Sequence, residues 1–195
     1  SWLTAWLKQL GANIMGISID IPTFPSHFAV SKINAGIIDK RIDIRDKKKL
    51  EKAITNFRPK FIFHLAAQSL VGVSYKKPTL TWQTNVLGTL NVLESVRKLK
   101  NKCNVVIITS DKCYLNREIH SGYKETDILG GKDPYSASKA SAELVVKSYN
   151  NSFFANNKNQ IRIATARAGN VIGGGDWASF RIVPDCVRSW SRGKI

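Results

Sequence analysis

Cysteine is scarce in this 195-residue sequence, which has only Cys103, Cys113 and Cys186. An odd number, widely spaced and without a Cys-x-x-Cys pair, argues against a disulfide framework or a zinc site, so no metal is expected and a reducing cytoplasm fits best. Long apolar runs are missing too. None approaches the ~18 consecutive residues of a membrane helix, and no charged-then-apolar leader with a small-residue cleavage site opens the chain. A soluble protein with no membrane partner is expected. Internal repeats, low-complexity tracts and long flexible linkers are also absent, which leaves out solenoids and disordered tails.

Acidic residues are few. Thirty Lys+Arg against 14 Asp+Glu give a formal charge of +16, enough to raise an anionic polymer as partner. The basic residues are scattered, however, with short clusters at Lys47 to Lys49, Lys76 and Lys77, and Lys98, Lys100 and Lys102, and no RNA- or DNA-reading motif goes with them. The expectation is no nucleic acid. A basic binding module remains an alternative that predicts affinity falling steeply with salt. The same charge suits a diphosphate-bearing small substrate.

With 43% hydrophobic residues the chain can bury one sizeable core. Trp2, Leu3, Trp6, Leu7 and Leu10 recur at helical spacing before Gly11, a suitable C-terminal stop. Strands are expected at Asn13 to Ile19, Ile37 to Ile42, Phe61 to Leu65, Asn104 to Thr109 and Ile161 to Ala166, with a loop around Pro22 and Pro25. Helical patterns fill Lys47 to Phe57, Thr79 to Leu99 and Tyr135 to Phe154, and another contains Val187 and Trp190. Strands that are nearly continuous apolar runs, alternating with helices, predict an α/β fold with a doubly wound parallel sheet covered on both faces, of the Rossmann type. Both ends read as cut, because the chain enters a helix at once without an initiator Met and stops just after another. In such folds ligands gather beyond the carboxyl ends of the strands.

Two segments at those strand ends carry chemistry. Tyr135 and Lys139, in Tyr-Ser-Ala-Ser-Lys, are four apart and share a helical face, where an ammonium stabilises a phenolate and makes the tyrosine a usable base. Read alone, they are also an ordinary solvated pair. The second segment is Val-Val-Ile-Ile-Thr-Ser-Asp-Lys-Cys-Tyr, residues 105 to 114, in which Ser110, Asp111 and Lys112 stand where a buried strand emerges. Together the segments supply a hydroxyl, a carboxylate, an amine and an activatable phenol at one sheet edge.

With the run Gly-Gly-Lys-Asp-Pro-Tyr-Ser-Ala-Ser-Lys from Gly130 and Ala-Arg-Ala-Gly-Asn-Val-Ile-Gly-Gly-Gly-Asp-Trp from Ala166, these segments make the sequence resemble the sugar-nucleotide 4,6-dehydratases of the extended short-chain dehydrogenase/reductase family. The resemblance spans almost the whole chain. It implies a lyase that removes water from CDP-glucose to give CDP-4-keto-6-deoxyglucose, with NAD as cofactor, and a homo-oligomer when complete. It implies Tyr135 as base for the sugar 4-hydroxyl, Lys139 as partner of phenolate and cofactor ribose, Ser110 as a hydrogen-bond partner of the same hydroxyl, and Asp111 as acid for the departing 6-hydroxyl. Lys112 is either the partner in C5 proton transfer or, as an ammonium, the stabiliser of the enolate oxygen, since an ordinary lysine is protonated at neutral pH.

For the cofactor the resemblance implies Asp43 and Ile44, then Leu65, Ala66, Ala67 and Gln68, and Thr109, besides Tyr135 and Lys139. The usual Gly-rich turn that faces a pyrophosphate is missing, and the resemblance places Ser1 just beyond it. Asn170 and the glycines after it fit a loop approaching the substrate diphosphate, with Trp177 and Arg181 over the nucleotide. Phe180 stands where the family commonly has an acidic residue. The division implied is a cofactor-binding domain over 1–168, lacking its first strand, and the start of a substrate-binding region over 169–195. Asp20 reads equally as a ribose ligand or a loop aspartate, Asn85 as a packing or relay residue, and His64 as a core histidine without chemistry. Another epimerase or dehydratase, or an inactive fragment, are the remaining alternatives.

Overall fold

The computed structural model describes residues 1–155 and 160–193. Its contacts divide into two compact units, Ser1–Ile42 with Val171–Ile195, and Asp43–Asn170. One boundary falls beside the expected change at 168–169. The other, at Ile42, has no counterpart in the expected division.

The larger unit holds β3 (Phe61–His64), β4 (Cys103–Ile108) and β5 (Ile161–Ala166), all parallel in the order β3-β4-β5. The smaller unit pairs β1 (Met15–Ser18) with β2 (Ile38–Arg41), also in parallel. These are the five expected strands. Parallel neighbours require crossovers, and helices supply them.

Helix α3 (Lys47–Phe57) forms where its pattern predicts it. Asp46 caps its first turn by accepting from the Lys49 amide, Leu50 and Ile54 are buried one turn apart, and Arg58 ends it in a left-handed conformation. The expected helix from Thr79 is one helical run in three parts: α5 (Pro78–Trp82), a π-helical turn (Gln83–Leu87) and α6 (Gly88–Arg97). Helix α7 (Pro134–Tyr149) has Asp133 as its cap and proline at its first position, and passes into a second π-helical turn at Asn150–Phe154. Helix α3 packs on α6, α6 on α7, and α7 on β5. The core they enclose includes Leu50, Leu93, Val96, Leu99, Val105, Ile107 and Val146.

Sheet coverage is less complete than the apolar strands suggest. Register pairs Ile62 with Val105 and His64 with Ile107 on the buried face. Phe61 and Phe63 pair with Asn104 and Val106 on the other, and there Phe61 is 63% exposed. Two short helices were not expected: α2 (His27–Val30), in the proline loop, and α4 (Val71–Lys76), before Pro78. Among the described residues no helix is long and apolar enough to cross a membrane.

In the smaller unit, α1 (Trp2–Gln9) and α8 (Ile182–Trp190) accompany β1 and β2. Its glycine run is anchored. Trp2 Nε1 donates to Gly174 O at 3.0 Å and stacks on His27 at 4.0 Å between ring centroids. Gly175 has φ +83, and a Cβ there would lie 2.5 Å from the His27 amide nitrogen, so no other residue fits.

Candidate functional site

Strand β4 delivers the chemistry. Beyond Ile108 the chain stays tied to β5, with the Thr109 amide on Ala166 O and the Asp111 amide on Ala168 O. It then turns through a short 3₁₀ segment, Asp111–Cys113, whose N-cap is Ser110; the Ser110 hydroxyl oxygen accepts from the Lys112 amide at 3.2 Å. The same hydroxyl donates to Asp111 Oδ1 at 2.9 Å. Lys112 Nζ lies 3.5 Å from Asp111 Oδ1 and 3.3 Å from Asn170 Oδ1. Four of the expected site residues therefore form one hydrogen-bonded cluster. Ser110 is buried, whereas the Asp111 and Lys112 side chains are 51% and 41% exposed.

Helix α7 packs on that 3₁₀ segment. It buries Tyr135 and Lys139 on one face, and Lys139 Nζ donates to Ile108 O at 3.2 Å, two residues before Ser110. Burial pulls the Lys139 pKa down to about 8 against the opposing pull of Cys113 and Glu143. The α7 start is fitted closely. A Cβ on Gly131 would come within 2.4 Å of the Ala137 amide nitrogen and 2.5 Å of the Ser136 carbonyl carbon, both main-chain atoms. Gly131→Ala should lower stability by about 2 kcal/mol or more, read as a fall in the thermal midpoint.

The segment after β3 is locked to the helices. Asn85, in the π-helical turn, accepts from the Gln68 amide at 2.8 Å and donates to Gln68 O at 3.0 Å and to Ser138 Oγ at 2.9 Å. Such turns are frequent at functional sites, and here the wider turn goes with a side chain that joins the β3 exit to α7. The Gln68 side chain is taken up by Leu70 and Thr81. Leu65 is exposed, and Ala66 and Ala67 are half-buried with no bulk beyond Cβ. His64 is buried against Thr89 Oγ1 at 3.0 Å, and burial, reinforced by Lys139, lowers its pKa to about 4. Its folded pKa lies below its unfolded value of 6.5, so the stability it contributes is whole above pH 6.5 and is lost as pH falls toward 4. Roughly 3 kcal/mol is expected to disappear over that window. Urea unfolding of the full-length protein checks this, with His64→Gln lacking that part of the slope.

Asp43 and Ile44 sit apart from this cluster. Arg45 grips the Asp43 carboxylate with Nε at 3.0 and 2.9 Å and Nη2 at 2.5 Å, and this holds its pKa below the usual range. Ile44 is buried, with its carbonyl accepting from Asn91 Nδ2 at 3.0 Å. Asp43 lines a cavity of about 700 Å³ with Arg45, Asp46, Gln83, Leu87, Leu90 and Asn91. Trp177 and Arg181 belong to the smaller unit. There Trp177 O accepts from Arg188 at 3.0 Å, and Arg181 Nε pairs with Asp176 Oδ2 at 3.6 Å. Asp20 lies beyond β1, exposed, its carbonyl taken by Ser18 Oγ.

Glu143, Thr165 and Arg167 are functional candidates that the sequence reading passes over. Glu143 follows Lys139 by four residues, the same spacing that singled out the tyrosine and lysine, so the signal was there. Arg167 also lines a cavity of about 450 Å³ with Asp111, Tyr114, Tyr123, Glu125, Thr165 and Ala166. Tyr114 and Tyr123 stack at 5.1 Å in its wall. Cys113 is a free thiol whose pKa burial pushes up to about 11, and Cys103 likewise, so neither is an activated nucleophile.

Known proteins are similar to this chain. The chain is 50% identical over 194 residues to CDP-glucose 4,6-dehydratase of Salmonella typhimurium, covering 97% of this chain and 54% of that protein. The chain thus spans about half the length of the curated relatives it matches. Among solved structures, UDP-glucose 4-epimerase of Thermus thermophilus, in complex with NAD, superposes with a TM-score of 0.79 at 26% identity, over 98% of this chain and 59% of that one. A UDP-glucose 4-epimerase of Thermotoga maritima, with UDP-glucose, gives 0.84 at 20% identity over 99% and 60%, a likeness of fold. The family model for GDP-mannose 4,6 dehydratase matches residues 25–166. The chain therefore belongs to the GDP-mannose 4,6-dehydratase family, within the extended short-chain dehydrogenase/reductase proteins.

Proposed function

We propose that this chain carries the catalytic half of a lyase that converts CDP-glucose to CDP-4-keto-6-deoxyglucose and water, in a cytoplasmic homo-oligomer. The observation that carries the reading is the hydrogen-bonded Ser110–Asp111–Lys112 cluster packed against the helix of Tyr135 and Lys139. Epimerization at C4 needs the tyrosine and lysine, but loss of water across C5 and C6 also needs groups that move the C5 proton and release the 6-hydroxyl. Asp111 and Lys112 meet that need. The similarity to the Salmonella dehydratase supports the substrate.

The residues fit NAD. Lys139 is 7% exposed with one main-chain acceptor at Ile108 O, which leaves ammonium N–H groups for a ribose hydroxyl and the tyrosine phenolate. Ala66 and Ala67 allow close approach after β3, and Thr109, Leu65 and Gln68 complete that edge. Asp43, which lines the 700 Å³ cavity, and Ile44, its neighbour in sequence, would hold the adenine end. When bound there, NAD would supply a reversible hydride acceptor for the oxidation at C4 and the later reduction at C6.

The chain's own residues do the rest. Tyr135 removes the 4-hydroxyl proton while Lys139 holds the phenolate and Ser110 hydrogen-bonds the same oxygen. The C4 ketone acidifies the C5 proton. Lys112, exposed and 3.5 Å from the Asp111 carboxylate, stabilises the enolate oxygen. Asp111 receives the C5 proton and passes it to the departing 6-hydroxyl, which leaves as water; when hydride re-enters at C6, C5 takes up a proton equal to the one Tyr135 removed from the 4-hydroxyl, and the phenolate is restored. Asn170, tied to Lys112, would face the diphosphate, and Trp177 and Arg181 the nucleotide.

In the protein extended to the full length of its relatives, CDP-glucose and NAD should give a 4-keto sugar nucleotide with no net NADH. Turnover of another nucleotide sugar, with none of CDP-glucose, would remove the substrate assignment.

A further inference from the structure

One turn beyond Lys139 and two beyond Tyr135, the same face of α7 carries a carboxylate that the reaction above leaves unused. Glu143 is 5% exposed. One of its oxygens accepts from Thr109 Oγ1, and the other from Thr165 Oγ1 and Arg167 Nη2, both at 3.0 Å. Thr109 immediately precedes Ser110. Thr165 is in β5, paired with Ile107 of β4, and Arg167 follows the strand. Burial works against the Glu143 carboxylate, yet these hydrogen bonds, Arg167's foremost, hold its pKa below the usual range.

A buried charge is a costly way to hold a helix on a sheet, because apolar side chains of similar volume fill the space without losing hydration. What a carboxylate adds is direction. Its hydrogen bonds fix the helix along its axis as well as against the strands. We propose that Glu143 is a positioning residue, keeping the Tyr135 and Lys139 face of α7 in register with Ser110, Asp111 and Lys112. This rests on the catalytic reading of those five residues. Lys139 on Ile108 O fixes α7 to β4 alone, whereas Glu143 brings the ends of β4 and β5 onto one side chain. Arg167 extends the restraint, since it donates to Glu125 O at 3.1 Å and lies 4.8 Å over the Tyr114 ring, in the wall of the cavity beside Asp111.

The test uses the full-length protein with two variants. E143L/R167M removes the ion pair without stranding a buried charge, and E143Q keeps an acceptor for Thr109. Expected in the double variant is a kcat lower by about 10²-fold, the cost of a misplacement of about 1 Å, with KM changed by less than about threefold. E143Q should fall between it and the wild type. Amide hydrogen exchange, measured without ligands, should quicken at Ser110 to Cys113 in the double variant and stay unchanged in α3. Wild-type kcat in the double variant, unaltered exchange at Ser110 to Cys113, or faster exchange throughout the larger unit would each overturn the proposal, the last because Glu143 would then merely hold the fold. Should the double variant fail to fold, E143Q decides alone, and wild-type kcat and exchange in it sink the idea. If the wild type does not turn over CDP-glucose, the reaction assignment fails, and the exchange data still decide the positioning role.

Discussion

Tyr135→Phe should lower turnover of CDP-glucose by about 10²–10⁴-fold while leaving the fold and the affinity for NAD close to those of the wild type. The substitution removes one oxygen from a buried ring and nothing else. Tyr135 makes no side-chain hydrogen bond that the surrounding helix depends on among the described contacts; it is the Tyr135 carbonyl that Ser138 Oγ uses, at 2.7 Å. The fold cost is therefore small, below about 1 kcal/mol, since no hydrogen bond goes with the hydroxyl. The chemical cost is the base for the 4-hydroxyl. Ser110 cannot replace it, since a serine hydroxyl that keeps its proton is a far weaker base than a phenolate. The measurement is the rate of 4-keto product at saturating substrate, with NAD affinity measured separately by equilibrium binding. A loss smaller than about tenfold would mean that another group takes the proton.

The reading of Tyr135 as base came from spacing, and spacing reports well on regular elements. Helix α3 was legible because Asp46, Leu50, Ile54 and the stop after Phe57 agree at every level: cap, face and end. The run from Thr79 was legible as helix, but its π-helical turn was not, because one residue of extra winding leaves apolar periodicity almost unchanged while moving Asn85 onto Gln68 and Ser138. Helices α2 and α4, four and six residues long, are too short for periodicity to register. At the site, Ser110, Asp111 and Lys112 were legible as a group since they are consecutive and follow a strand end, whereas Asn170 was expected in the diphosphate loop and its tie to Lys112 had no sequence signal. Glu143 was not, although it extends the tyrosine-lysine face. A glutamate mid-helix reads as solvated surface until Thr109, Thr165 and Arg167 are seen to converge on it. The Trp2 to Gly174 bond, 172 residues apart, has no local signature at all.

Lys139 poses the sharper test, because its two expected effects have opposite signs. The side chain is 7% exposed and its pKa is lowered from 10.5 to about 8, so without ligand the folded state is destabilised by holding an ammonium there. The folded pKa lies below the unfolded one, so the unfolded chain binds more protons between pH 8 and 10.5, and stability must rise with pH across that window. The penalty is complete below pH 8 and gone above 10.5, a span of roughly 3 kcal/mol for a shift of this size. Lys139→Met keeps the length of the side chain and removes the charge. It should raise the stability of the ligand-free protein at neutral pH by up to that amount, less about 1 kcal/mol for the hydrogen bond lost at Ile108 O, and it should flatten the rise between pH 8 and 10.5. Turnover should nevertheless fall by about 10²–10⁴-fold, since the tyrosine phenolate and the cofactor ribose lose their cation. Urea unfolding near neutral and near pH 10, beside the rate of product formation, reads both effects on one variant. A methionine variant that is less stable than the wild type at neutral pH would mean that the ammonium is held by contacts stronger than the Ile108 carbonyl. Stability gained together with activity lost is what a residue retained for chemistry, against the interest of the fold, must show.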